Sequence, residues 1–95
     1  MLFRSAEGAD VTVLDVRRPL EFQAGHVPGA VHLPLHELEK KAPSLDRNKP
    51  VAIICASGYR SSIATSVLER LGFHRFSNVV GGMNAWYAAR YDTAA

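Results

Sequence analysis

Cys55 is the only cysteine in the chain, and Arg60 follows it across Ala56, Ser57, Gly58 and Tyr59. A thiol becomes a nucleophile as thiolate, and its free pKa of about 8.5 falls to roughly 3.5–7.5 at helix N-termini or beside cations. Both influences are present in the pattern. Val51-Ala52-Ile53-Ile54 before the cysteine reads as a short buried strand. After the arginine, Ile63, Ala64, Val67, Leu68 and Leu71 share one face of a helical repeat. The thiol therefore sits where a strand ends and a helix begins, beside unpaired N–H groups and a partial positive charge of about half a unit. Ala56, Ser57 and Gly58 are small enough for their amides to turn inward as an anion-binding nest. Arg60 adds a permanent cation with a planar fork of donors. This spacing assigns Cys55 as the nucleophile, with Ala56, Ser57, Gly58, Tyr59, Arg60 and Ser61 forming a cradle for an oxyanion or a second sulfur. A buried structural cysteine is the plainer reading of a lone thiol, and the loop composition argues against it. Tyr59 is expected to point outward and line the entrance.

Cysteine phosphatases use a related cradle but place five residues between Cys and Arg, usually with His before the Cys. Here four residues intervene and Ile54 precedes the thiol. That shorter loop resembles the rhodanese family of sulfurtransferases. Two further motifs carry the resemblance over nearly the whole chain. Leu14-Asp15-Val16-Arg17, Glu21-Phe22 and Gly25-His26-Val27-Pro28-Gly29-Ala30 are similar to the family's upstream motif, and Gly81-Gly82-Met83-Asn84-Ala85-Trp86 to its closing motif. The resemblance implies an α/β fold, a three-layer α/β/α sandwich on a four- or five-stranded parallel sheet. It implies sulfane-sulfur transfer through a Cys55 persulfide, from thiosulfate or a low-molecular-weight persulfide to a thiol or cyanide, without a cofactor. The spelling Cys-Ala-Ser-Gly-Tyr-Arg-Ser-Ser also resembles rhodanese domains fused to metallo-β-lactamase-fold enzymes that oxidise glutathione persulfide, which makes a fused or interacting persulfide-handling enzyme a candidate partner. The competing readings are a phosphatase or arsenate reductase-like enzyme and a non-catalytic partner-binding module. Silent members are expected to lack the cysteine.

The elements that must position the site alternate between strand and helix. Residues 11–14 are β-branched and apolar, a good interior strand. Pro19 opens a short helix over 20–24 that Gly25 closes. Residues 30–33 form a second strand, 35–42 a weak helix, and 51–54 the central strand. Residues 61–71 give the strongest helix, ending at Gly72; 76–80 form a further strand and 83–90 a last helix, with a frayed tail from Tyr91 to Ala95. The polar stretch 1–10 represents poorly the strand and helix with which family members usually begin. Such alternation predicts a parallel sheet covered on both faces, with ligands at the carboxyl ends of its strands. That rule brings Asp15 to Arg17, Pro34-Leu35, Cys55 to Arg60 and Gly81-Gly82 to one edge.

Asp15, Arg17, Glu21 and His26 are expected to support this edge as a buried ion-pair network, since charges near a core persist when paired; for His26, a hydrogen bond to backbone is the simpler role. His32 and His36 are four apart, but Pro34 breaks a helical pair and no second cysteine exists, so no metal site is expected. Ninety-five residues make one domain, 1–95. A net charge of +2 with scattered basic residues argues against nucleic acid. No apolar run reaches the ~18 residues of a membrane span, and the N-terminus does not read as a signal peptide. A lone thiol fits a reducing, cytoplasmic setting.

Overall fold

Thr12 to Asp15 and Val51 to Ile54 lie side by side in the middle of the sheet, where both strands are covered on both faces. The computed structural model describes residues 11–79 and 81–94. Its four strands, β1 (Thr12–Asp15), β2 (Val31–His32), β3 (Val51–Ile54) and β4 (Phe76–Asn78), pair in the order β2-β1-β3-β4, all parallel. The helices are α1 (Pro19–Gln23), α2 (Leu38–Lys41), α3 (Tyr59–Arg70) and α4 (Gly82–Ala88). None of the described helices is long and apolar enough to cross a membrane.

Side chains alternate across the strands, and each set finds its own helices. Leu14, Val51, Ile53 and Cys55 face Leu38 of α2 and Ala64 and Leu68 of α3. Val13, Ala52 and Ile54 face Met83 and Trp86 of α4 on the opposite side. Two half-cores on one sheet give the α/β/α sandwich. Ile53, Ile54 and Leu68 are completely buried, and each such side chain contributes about 1.5–3 kcal/mol.

A buried ion pair fixes the turn from β1 into α1. Asp15 and Arg17 are 0% and 3% exposed. The Asp15 carboxylate accepts from the Arg17 amide (3.0 Å), Nε (3.0 and 3.1 Å) and Nη2 (2.8 Å). Arg17 Nη2 also donates to the Gly25 carbonyl at 2.9 Å, which closes the segment around α1. Burial pushes the guanidinium down, and Asp15 overrides it, so Arg17 stays above its ordinary pKa.

Several elements differ from the sequence expectation for identifiable reasons. The main helix begins at Tyr59, because Gly58 caps it in the left-handed region at φ 111° and brings Tyr59 and Arg60 into the first turn. The weak helix over 35–42 breaks into a 3-10 turn (Leu35–Glu37), the four-residue α2 and a second 3-10 turn (Ala42–Ser44) holding Pro43. The strand expected over 30–33 narrows to two residues. That expected over 76–80 ends at Asn78; Val80 lies outside the described residues, as does the expectation for 1–10.

The tail through Ala94 is docked and not frayed. Trp86 Nε1 donates to the Asp92 carbonyl at 2.8 Å, and Tyr91 meets the indole edge-on at 4.8 Å. Ala94 exchanges two backbone bonds with His26, at 2.8 and 2.7 Å. A buried indole N–H needs an acceptor, and the tail supplies it.

Replacing Asp15 by Ala leaves the Arg17 guanidinium buried and unpaired, which costs about 3–5 kcal/mol. Urea unfolding is expected to show that loss, with a much smaller one when Asp15→Leu is combined with Arg17→Met.

Candidate active site

β3 delivers Cys55 to the carboxyl edge of the sheet, and residues 55–58 cross from it into α3. The orientation of this loop is set from outside. At the start of α4, Met83 N donates to the Cys55 carbonyl (2.6 Å) and Asn84 N to that of Ala56 (2.9 Å). Orphan N–H groups of one helix thus satisfy the loop's carbonyls, and the loop's own amides are left facing the sulfur. Gly58 N donates to Cys55 Sγ at 3.0 Å and Ser61 N at 3.3 Å. The approach of α4 requires glycine at 82: φ is 55°, and a Cβ there would fall 2.2 Å from the Cys55 carbonyl oxygen.

The sulfur also enters a side-chain chain. The thiol donates to Ser61 Oγ at 3.4 Å, and Ser61 Oγ–H donates to Asn78 Oδ1 at 2.5 Å. Asn78 Nδ2 donates onward to Ser62 Oγ (3.0 Å) and to the Gly58 carbonyl (3.3 Å). Cys55 and Ser61 are 1% and 0% exposed. Burial pushes the Cys55 thiol up; the Ser61 hydroxyl and the amides of Ser61, Gly58 and Ser57 outweigh it, and the thiol lies below its ordinary value. Once the thiol ionises, the single Ser61 hydroxyl proton gains a charged acceptor in the sulfur beside its two neutral ones, Asn78 Oδ1 and the Gly58 carbonyl at 3.1 Å, and charge-assisted bonds are the stronger ones.

Arg60 is turned toward α1. Its Nη1 and Nη2 form a fork on Glu21, at 2.6 Å to Oε1 and 2.9 Å to Oε2. The Arg60 guanidinium holds the Glu21 carboxyl at about 2, against the opposing effect of burial and with help from the Arg18 amide. Glu21 in turn raises Arg60, with lesser contributions from the charges of Cys55 and Asp15. Beside this pair opens a cleft of about 710 Å³ lined by Arg18, Pro19, Leu20, Glu21, His36 and Arg60.

The structure therefore gathers Ser57, Gly58 and Ser61 around Cys55, while the Ala56 carbonyl is engaged by α4 and Tyr59 stands 75% exposed. The four-membered supporting network is not formed. Asp15 takes all its side-chain bonds from Arg17, Glu21 pairs with Arg60, and His26 Nδ1 meets the Phe22 carbonyl at 2.7 Å with its ring stacked 3.6 Å from that of Phe22. One residue was missed by sequence reasoning: Asn78 ends β4 on the edge where Cys55 follows β3, so its place in the alternating pattern was the available signal. Gly82, expected on this edge as part of the Gly-Gly pair, lies there against the Cys55 carbonyl.

Residues 3–89 match the family described as Rhodanese-like domain. The chain belongs to the rhodanese family. Its rhodanese relatives include the putative sulfur carrier protein YrkF of Bacillus subtilis, 45% identical over 76 residues that cover 80% of this chain and 41% of YrkF. The chain thus spans less than half of that relative. The thiosulfate sulfurtransferase GlpE of Pseudoalteromonas translucida is 35% identical, covering 84% of this chain and 76% of GlpE. Among solved structures, a rhodanese-related protein from Thermoplasma volcanium superposes with a TM-score of 0.85 at 36% identity, covering 95% of this chain and 89% of the other. The fold follows from this membership.

The dependence of the rhodanese loop on α4 is testable at two glycines. Gly58→Ala meets no atom within 4 Å and suffers only the strain of φ 111°, about 1–3 kcal/mol. Gly82→Ala adds a clash with the Cys55 carbonyl and is expected to cost about 1–3 kcal/mol more. Equal urea midpoints for the two variants would show that α4 does not set the loop.

Proposed function

We propose that the protein moves sulfane sulfur through a persulfide on Cys55. The observation that carries this reading is the convergence of the Gly58 and Ser61 amides on Cys55 Sγ, at 3.0 and 3.3 Å. Donors placed where negative charge develops are the largest single contribution in many enzymes. In the first half-reaction the Cys55 thiolate attacks the outer sulfur of thiosulfate or of a low-molecular-weight persulfide. The sulfur–sulfur bond of the donor breaks, and sulfite or a thiolate leaves with the bonding pair. The amides and the Ser61 hydroxyl then hold the persulfide anion. In the second half-reaction a thiolate or cyanide takes the outer sulfur, and Cys55 returns as thiolate. The two steps share one site, which gives ping-pong kinetics. Neither step needs a cofactor.

Arg60 contributes its field and, by exchanging a Glu21 oxygen for one of the donor's, a docking point for an anion. Ala56 and Tyr59 shape the mouth of the loop; Asp15 and Arg17 hold the turn behind it, with Glu21 and His26 bracing α1. The names of GlpE and YrkF support transfer and carriage respectively, and a fused or interacting persulfide-handling enzyme is the partner this chemistry calls for. A thiol used in this way must stay reduced, in keeping with a cytoplasmic setting. The four-residue interval between Cys55 and Arg60 disfavours phosphate transfer, and the preorganised sulfur disfavours a silent binding module.

Brief exposure to thiosulfate followed by intact-mass measurement is expected to add one sulfur atom to the wild type, removable by cyanide, and none to Cys55→Ala. Absence of the added sulfur with both thiosulfate and glutathione persulfide, on protein whose thiol is free, would overturn the proposal.

A further inference from the structure

Ser61 stands between the sulfur and a side chain that the transfer steps leave without a role. Its hydroxyl has one proton. Within reach are Cys55 Sγ at 3.4 Å, Asn78 Oδ1 at 2.5 Å and the Gly58 carbonyl at 3.1 Å. The Gly58 carbonyl is already served, since it accepts from the Ser62 amide at 3.1 Å and the Ser62 hydroxyl at 2.8 Å. Ser61 is fully buried, so solvent does not supply a further acceptor. Asn78 Oδ1 therefore takes the proton in the neutral site, and the lone pairs of Ser61 are left to the thiol.

The same groups decide which way the Asn78 amide points. Nδ2 lies 3.3 Å from the Gly58 carbonyl and 3.0 Å from Ser62 Oγ, whose own proton is spent on that carbonyl. The reverse orientation would set two acceptors 3.3 Å apart. The carboxamide oxygen thus faces Ser61. When Cys55 carries negative charge, the Ser61 proton must leave Asn78 to reach the sulfur, and two oxygens then face each other without a proton between them.

We propose that Asn78 is a positioning residue for Cys55, its carboxamide oxygen competing with the charged sulfur for the single proton of Ser61. The hydroxyl is a two-position rotor: it accepts from the thiol in the neutral state and donates to the sulfur in the anionic one. A thiolate held too firmly is a weaker nucleophile, and the competition limits how firmly this one is held. That use in sulfur transfer rests on the persulfide reading; the competition itself needs only the thiol. Charged side chains on the surrounding elements pair among themselves or face solvent. Arg60 of α3 is forked on Glu21 of α1, and Asp15 of β1 is closed on Arg17. Glu39, Lys40 and Lys41 of α2 are exposed, as are Glu69 and Arg70 at the far end of α3. Tyr87 of α4 donates to the Gly25 carbonyl at 2.8 Å, and β4 has no titratable side chain. An uncharged substitution at 78 therefore changes hydrogen bonding near the sulfur and no charge.

The test titrates the thiolate absorbance of wild type, Asn78→Leu, Ser61→Ala and the double variant, with circular dichroism at each pH. Leucine keeps the position filled but offers no acceptor. Asn78→Leu should lower the apparent pKa of Cys55 by about half a unit to one unit, the worth of one neutral hydrogen bond. In the Ser61→Ala background the same change should move it by less than about 0.2 unit, because the hydroxyl that carries the effect is gone. A loosened loop would instead raise the value toward the ordinary one of about 8.5, and entry of solvent would act in both backgrounds. An unchanged or raised pKa in Asn78→Leu, or an equal fall in both backgrounds, would overturn the proposal. Asn78→Ala, read in the same way, takes the place of a leucine variant that does not fold. The titration uses no sulfur donor. If the wild type fails to load sulfur, the persulfide reading falls and the pKa values still decide the role of Asn78.

Discussion

Two backbone carbonyls govern this molecule. Cys55 and Ala56 must place their oxygens somewhere, and the first N–H groups of α4 take both. A buried carbonyl left without a partner costs about 1–3 kcal/mol, so this docking holds the loop in one orientation. Everything chemically useful follows from that orientation. The amide of Ser57, on the far side of the Ala56 carbonyl's peptide unit, and those of Gly58 and Ser61 turn to the sulfur. The requirement is steric as well as electrostatic, since only a residue without Cβ fits at 82. The closing Gly-Gly segment thus acts on the reaction through the backbone, without touching the thiol.

The sulfur's environment is a contest whose balance decides reactivity. Burial favours the neutral thiol, and a completely apolar pocket would leave Cys55 inert. The Ser61 hydroxyl and three amides oppose burial and prevail. Arg60 plays a smaller part than its proximity in sequence implies, because its fork is spent on Glu21. The activation is therefore mainly dipolar. Dipoles fixed by hydrogen bonds elsewhere need not reorganise when charge arrives on the sulfur.

The order and type of elements were legible in the sequence wherever period and punctuation agreed, as in Val51 to Ile54 and in the helix that ends before Gly72. The convergence of distant motifs on one sheet edge was legible too, because parallel topology dictates it. What escaped was pairwise geometry. Charge alone cannot say that Asp15 saturates itself on Arg17 and leaves Glu21 to Arg60, since both acids stand near Arg17 in the sequence and Arg60 lies 39 residues beyond Glu21. The docked tail escaped because its anchor is a single indole N–H on Trp86 seeking a carbonyl, which leaves no periodic trace. Asn78 escaped because one polar residue at a strand end has many ordinary explanations. Its link to Ser61 exists only after β3 and β4 pair in register.

The central claim is that the loop lowers the Cys55 thiol below its ordinary pKa despite complete burial. Titrating the thiolate absorbance of the reduced wild-type protein tests it most directly, with circular dichroism recorded at each pH. An apparent pKa clearly below the ordinary value of about 8.5, in protein that stays folded through the transition, is the predicted result. A pKa at or above that value in folded protein would mean that burial outweighs the amides and the Ser61 hydroxyl, and would contradict the account.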